Sequence, residues 1–387
     1  MSIFEYNLEE GEKMKIDIIT RHAIANYGSI LQAYATEKML DKLNIENEII
    51  DYVRVEENSK NLVKTYMKNS KKWNRNFITR FIYKIIQKPN LDIMNNKFAK
   101  YRKKYLKLTS KQYKNKNELM EDLPQADIYC TGSDQVWGQI ANDDYDENYF
   151  LEFVPNDKRC IAYSASFGKN KLSENLKIKL PKLMEKYSDI MVRELSAVKI
   201  LNASGIDNVK LVLDPTLLLS KEEWKENLKI KNNEKEQYIL TYQLHHNKEF
   251  DKYLKKLAKA TNLKVVRLSS SIYYKFKYGK FVYLPDLEQF LTYFKNAKYV
   301  VTDSFHGTVF SIIFNKQVID ILPGKTRTRI ESILKLFGME DRIVNDYNDM
   351  SIINKEIDYK KVNDILDKER KKSIEYLRKA IERGNDE

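Results

Sequence analysis

The chain has four histidines among its 387 residues. One of them, His306, lies where an apolar run turns polar, in Tyr299-Val300-Val301-Thr302-Asp303-Ser304-Phe305-His306-Gly307-Thr308-Val309-Phe310. The run before it reads as a buried strand, and Val309, Phe310, Ile312, Ile313 and Phe314 read as the start of a helix. In open α/β sheets ligands bind beyond the carboxyl ends of strands, where helix amino termini offer free N–H groups and a dipole that favours an anion. Ser304, His306, Gly307 and Thr308 occupy that place. An imidazole there can contact an anion or carry a proton near neutral pH.

Further polar turns follow strand-like runs. Asn26-Tyr27-Gly28-Ser29 opens a helix; Gly28 and Ser29 could leave amides free for an anion or a sugar hydroxyl, or form a plain turn with an N-cap. Cys130-Thr131-Gly132-Ser133-Asp134-Gln135-Val136-Trp137 breaks from a strand into Gly132, Ser133 and Asp134, with Asp134 placed either as a base or as a helix cap. Tyr163-Ser164-Ala165-Ser166-Phe167-Gly168 is small enough for close backbone approach. At Met191-Val192-Arg193-Glu194, Arg193 can grip a carboxylate or phosphate, or pair with Glu194. In Leu213-Asp214-Pro215-Thr216 the proline makes a structural turn the favoured reading. Pro323-Gly324-Lys325-Thr326-Arg327-Thr328-Arg329 places Lys325 and an arginine such as Arg327 within reach of the His306 turn.

The elements that must hold these turns alternate. Strand-like runs at 15–20, 48–53, 126–131, 160–164, 190–192 and 210–213 form one set; those at 238–244, 263–268, 280–284, 298–302 and 317–322 form a second, with amphipathic segments between them. The stretch 215–237 separates the sets. The expected organisation is a leader at 1–13, an N-terminal domain at 14–220 with a helical insertion at 59–118, a C-terminal domain at 221–355 and a closing amphipathic helix at 356–387. Two such α/β domains would face each other across a cleft.

Composition narrows the classes further. The net charge is +13, but residues 60–116 hold eighteen Lys and Arg against one acid, Asp92. The rest of the chain is therefore mildly acidic, and the basicity is local. Aromatics there, including Phe77 and Phe81, recur at helical spacing, which predicts a basic solvated face over an aromatic core stripe. The other reading is docking on an anionic membrane surface or acidic glycan. No nucleic-acid-binding module accompanies the charge, so no nucleic-acid partner is expected. Cys130 and Cys160 lie in apolar runs and read as core residues of a reducing compartment. The acidic amino terminus is unlike a secretory signal, so the expected location is cytoplasmic, with peripheral attachment to the inner membrane face following from the second reading. His22, His245, His246 and His306 form no metal-ligand motif, and no metal or cofactor is expected. His245 and His246 read as surface residues that could line the cleft.

Together the motifs Asn26 to Ser29, Gly132 to Trp137, Tyr163 to Gly168, Arg193-Glu194, Leu213 to Thr216 and Thr302 to Gly307 resemble, in order, the polysaccharide pyruvyl transferase family. In that family the Trp of the second string is usually followed by Asn; here Gly138 follows Trp137. The resemblance implies two Rossmann-like domains around a cleft, as in GT-B glycosyltransferases. It also implies phosphoenolpyruvate as donor, a glycan or lipid-linked sugar as acceptor, and a pyruvate ketal and phosphate as products. It makes His306 the catalytic histidine and Arg193 and Lys325 the donor-binding cations, with Asp134 as an expected proton acceptor. The alternative is a GT-B glycosyltransferase using a nucleotide sugar.

Overall fold

The computed structural model describes residues 14–57, 61, 63, 64, 67, 70, 73–138, 145–230, 237–324 and 327–383. The leader at 1–13 and Lys325 lie outside them.

Two all-parallel sheets form the frame. The first contains β1 (Lys15–Ile19), β2 (Glu46–Tyr52), β3 (Leu108–Tyr113), β4 (Ile128–Thr131), β5 (Arg159–Ala165), β6 (Tyr187–Val192) and β7 (Val209–Leu211), in the order β3-β2-β1-β4-β5-β6-β7. The second contains β8 (Ile239–Tyr242), β9 (Val265–Ser269), β10 (Lys280–Tyr283), β11 (Tyr299–Thr302) and β12 (Gln317–Asp320), in the order β10-β9-β8-β11-β12. Parallel strands are covered by helices on both faces and so read as continuous apolar runs; β4, β8 and β11 are buried along their whole length. This is an α/β architecture of two Rossmann-like domains facing a cleft, GT-B-like.

One strand departs from expectation. Within the segment read as a helical insertion, Leu108–Tyr113 is strand β3 at the sheet edge, paired with β2 alone. Its middle, Ser110, Lys111 and Gln112, is exposed, which is why it carries no apolar run. The rest of that segment includes the helix Phe77–Tyr105, started by a capping box between Asn76 and Thr79.

An apolar seam joins the domains. Tyr27 stacks on Phe290 at 4.1 Å and meets Phe98 edge-on at 5.1 Å. Its hydroxyl donates to the Pro285 carbonyl across the seam at 2.5 Å. Trp224 packs on Phe310 at 5.4 Å. The last helix, Tyr359–Glu382, starts near the second sheet and ends on the first domain. The Ser373 hydroxyl accepts from the Leu213 N–H at 3.0 Å, and Arg370 donates to the carbonyls of Leu217 and Leu219. Among the described residues no helix is long and apolar enough to cross a membrane.

Candidate active site

In each sheet the strand order reverses at one place, between β1 and β4 and between β8 and β11. Crevices open there at the carboxyl ends of the strands. The two crevices meet in one pocket of about 160 Å³, lined from the first domain by Arg21, Asn26, Ser29, Asp134 and Gln135, and from the second by His245, Asp303, Ser304, His306 and Arg329, among others.

Three helices aim their first turns at it. Asn26 caps Tyr27–Lys42, its side chain accepting from the Gly28 N–H at 2.8 Å. Ser304 caps Phe305–Ile313, accepting from the Gly307 N–H at 3.3 Å. Arg329 stands in the first turn of Thr328–Phe337. The helix after β11 begins four residues earlier than the apolar pattern suggested, so His306 belongs to its first turn.

His306 is buried, and its Nε2 has no hydrogen-bond partner among the described residues. The nearest carboxylate oxygen to Nε2 is Asp214 Oδ2, at 3.9 Å. Burial pushes the imidazolium pKa down to about 4, against the pull of Asp214, and the positive end of a helix also disfavours a cation. The ring is therefore neutral at pH 7. Gly28 explains its seat: a Cβ there would come within 2.1 Å of His306 Nδ1. The first turn of this helix must carry a glycine at position 28 for the histidine of the other domain to pack against it.

Behind the histidine lies a charged cluster. Arg193 donates to Asp214 Oδ2 at 2.7 Å and, more weakly, to Asp134 Oδ1 and Ser133 Oγ at 3.4 Å each. Asp214 caps the turn after β7, accepting from the Thr216 N–H and hydroxyl. Asp134 accepts from Ser29 Oγ at 2.8 Å and from the Gln135 N–H at 2.8 Å. Its φ of +76° is the left-handed region, unusual for a residue with a side chain. Burial opposes ionisation of Asp134, yet Arg193, His306, Arg21 and Arg329 hold its carboxyl well below the usual range. Burial likewise works against Asp214, and His306 and Arg193 overcome it.

Arg329 is a half-buried cation on the pocket wall. Burial and the neighbouring Arg193 push its pKa down to about 10 despite Glu194, Asp134 and Asp214. Phe305 lies between the two guanidiniums, 4.9 Å from Arg193 and 5.6 Å from Arg329. Oriented with its oxygen towards Arg329, the Gln135 amide accepts from it. Arg21, the other lining arginine, is paired with Glu57 at 2.6 Å.

Of the residues singled out in the sequence, the structure brings Ser29, Asp134, Ser304 and His306 together on the pocket wall. Five others serve from behind or beneath it. Gly28 makes room for the imidazole. Gly132 would drive a Cβ to 2.8 Å from Ile18, and Gly307 one to 2.3 Å from Thr302 Oγ1, so both serve packing. Ser133 faces Ser164 and Asp214 in the interior. Thr308 turns away from the pocket to donate to Asp320 at 2.7 Å.

Three of the expected residues are engaged by protein partners. Arg193, read as gripping a ligand or pairing with an acid, is buried and engaged by Asp214 and Asp134, whose charge it holds. Asp134, expected to accept a proton, is held ionised by Arg193, Arg21 and Arg329 and is a weak base. Arg327 is exposed and paired with Glu331 at 2.7 Å, while Arg329, two residues on, reaches the pocket.

Sequence reasoning missed Arg21, read Asp214 only as part of a structural turn and gave Asp303 no role of its own. The Asp303 carboxylate accepts from the N–H groups of Leu244 and His245 at 2.7 and 2.8 Å, tying the ends of β8 and β11 together. An acidic residue at a strand end, directly after β11 at Asp303 and three residues after β7 at Asp214, was the available signal. His245, read as a surface residue that could line the cleft, does line it. Among the described residues no three His, Cys, Asp or Glu side chains are grouped to hold a metal ion.

Two adjacent arginines of different standing give a direct test. Arg329→Ala is expected to weaken binding of inorganic phosphate ten- to a hundredfold, from a charged hydrogen bond of about 1.5–3 kcal/mol, while Arg327→Ala stays within about twofold, as for other surface pairs. Calorimetric titration measures both, and equal effects would remove Arg329 from the site.

Parallel-sheet domains that close their switch points on one polar pocket define a GT-B-like cleft protein. The family profile described as polysaccharide pyruvyl transferase matches residues 26–322, and the chain belongs to that family, a family of transferases. Among curated proteins no sequence matches the chain significantly. Solved structures with a similar chain path include the UDP-GlcNAc 2-epimerase from Methanocaldococcus jannaschii, at 13% identity, covering 92% of each chain, TM-score 0.48. They also include an alpha-glucosyltransferase in complex with UDP and a 13-mer DNA, at 9% identity, covering 94% of this chain and 95% of that one, TM-score 0.48. The E. coli heptosyltransferase WaaC with ADP matches at 9% identity, 92% and 100% coverage, TM-score 0.39.

Proposed function

We propose that the chain moves the pyruvyl group of phosphoenolpyruvate onto two hydroxyls of a sugar in a cell-surface or extracellular polysaccharide or its precursor, forming a pyruvate ketal and releasing phosphate. The observation that carries this reading is the convergence of three helix amino termini, Arg21, Arg329 and His306 on one small pocket. A donor with carboxylate and phosphate on a single carbon frame needs that density of positive charge. Arg21 and Arg329 bind the donor, and Lys325, four residues before Arg329, is assigned the same task.

A neutral imidazole suits the first step. His306 relays the proton of the first sugar hydroxyl to C3, which becomes the methyl group as the C2=C3 π bond breaks and positive charge develops at C2, and the sugar oxygen bonds to C2 there. The second hydroxyl then attacks C2 as the bond to the phosphate oxygen breaks, and the departing phosphate leaves with the second proton. Asp214 stabilises the transient imidazolium from 3.9 Å. Asp134 keeps its charge throughout and holds Ser29 at the pocket wall.

Binding and product analysis test the reading together. Phosphoenolpyruvate should raise the melting temperature, by an amount equivalent to about 2.7 kcal/mol at a hundred times its Kd, and nucleotide sugars should not. Incubation with candidate glycans should add the ketal mass with one phosphate released per ketal. Stabilisation by nucleotide sugars alone, with glycosyl transfer as the product, would overturn it.

A further inference from the structure

The helix Phe77–Tyr105 is anchored along only half its length. In its C-terminal half Phe98 and Tyr101 are buried, the Tyr101 hydroxyl donates to Asp286 at 2.8 Å, and Lys97 pairs with Asp286 at 3.0 Å. In its N-terminal half the aromatic stripe expected from the sequence does not pack into a core. Phe77, Phe81 and Ile85 form one row at four-residue spacing and Ile78, Ile82 and Ile86 the next. Their exposures are 79%, 55% and 59%, and 66%, 41% and 53%. Pro89, inside the helix, marks the change between the halves.

Contiguous apolar surface of this kind marks a place of interaction. Its neighbours say with what. On the other side of the Phe77, Phe81 and Ile85 row stands a third row at the same spacing, Arg80, Lys84 and Lys88, all exposed. The one acid in residues 60–116, Asp92, pairs with Lys88 at 2.6 Å. Bulky apolar rows edged by cations, without acids of their own, match a helix lying in the plane of an anionic lipid surface, apolar side chains among the headgroups and cations on the phosphates.

We propose that the N-terminal half of this helix docks the protein on an anionic lipid bilayer. A second copy of the chain would set cation against cation, and a nucleic acid would leave both apolar rows in water. The anchored half connects the dock to the pocket. Tyr101 and Tyr27 both donate to the Pro285 carbonyl, and Tyr27 precedes Gly28, on which His306 rests. Seventeen residues of helix separate Phe81 from Phe98, about 25 Å at 1.5 Å per residue, a distance over which an acceptor held in the membrane can reach the cleft. The inference concerns where the protein works and stands whether or not the proposed reaction is right.

Vesicle co-sedimentation of the full chain tests it. The protein should bind vesicles of phosphatidylcholine with about 30% phosphatidylglycerol, fail to bind phosphatidylcholine alone, and be released as NaCl rises from about 0.1 to 0.5 M. Phe81→Glu with Ile85→Glu, and separately Arg80→Gln with Lys84→Gln and Lys88→Gln, should each lower the partition coefficient at least about tenfold with circular dichroism unchanged. Binding that ignores lipid charge, or that both variants retain, overturns the proposal. So does a concentration-dependent dimer in analytical ultracentrifugation that Phe81→Glu abolishes, since that assigns the face to a second copy.

Discussion

His306→Gln is expected to lower phosphate release from phosphoenolpyruvate by about 10²–10⁴ in the presence of a competent acceptor, the usual worth of a positioned acid–base group. The fold should persist, because glutamine fills much of the same volume. Two pH measurements separate this role from simple space filling. If the neutral imidazole works as proposed, with burial holding its pKa at about 4, kcat/KM should rise through about pH 4 and stay level to pH 7. A requirement for imidazolium would instead make it fall over the same range. Stability has its own sign. The folded state binds fewer protons at His306 than the unfolded state between about pH 6.5 and 4, so stability is full above that window and is lost as pH falls through it. At 1.36 kcal/mol per unit the loss approaches about 3 kcal/mol, and the Gln variant should lack it. Turnover equal to the parent protein in His306→Gln would end the assignment.

Gly28→Ala is expected to do comparable damage without removing any polar atom. The new Cβ would lie 2.1 Å from His306 Nδ1 and 2.6 Å from Cγ and Cε1, so the ring must move by an ångström or more. A displacement of that order in a reacting group costs about a hundredfold in rate. Helix propensity works the other way, since alanine gains about 1 kcal/mol over glycine inside a helix, so the melting temperature should change little while kcat collapses. The double variant makes the cause plain. On a His306→Ala background, Gly28→Ala should cost almost nothing further, a strong departure from additivity that residues in contact produce. Independent, additive losses would show that Gly28 acts elsewhere.

The fold was legible because parallel strands are buried on both faces and announce themselves as apolar runs. Strand β3 was the exception, since an edge strand with an exposed middle carries no such signal. The His306 turn was legible for a related reason: a strand end meeting small polar residues and an apolar helix has few other readings. Arg21 and Arg329 were harder, because a chain with 68 Lys and Arg gives no local reason to choose one. Choosing Arg329 over Arg327 required the helical phase of a turn that only the tertiary structure fixes. Arg193 looked like a ligand cation because its partner Asp214 is 21 residues away in sequence, whereas Glu194 beside it keeps its closest oxygen 3.8 Å from the guanidinium. Gly28 was noticed for its backbone amide, yet its importance lies in a side chain 278 positions downstream, which no local pattern contains.

The seam on which Tyr27 stacks against Phe290 therefore governs more than cohesion. The imidazole rides on one domain, while the glycine that seats it and the Arg193, Asp134 and Asp214 cluster behind it ride on the other. Neither half alone builds the surroundings of the imidazole. Parting the domains would return His306 to water and to ordinary basicity, and would leave the Arg193 cluster facing solvent. Reactivity is a property of the closed pair, so a substitution that loosens the seam will be felt first as lost turnover, before any unfolding is seen.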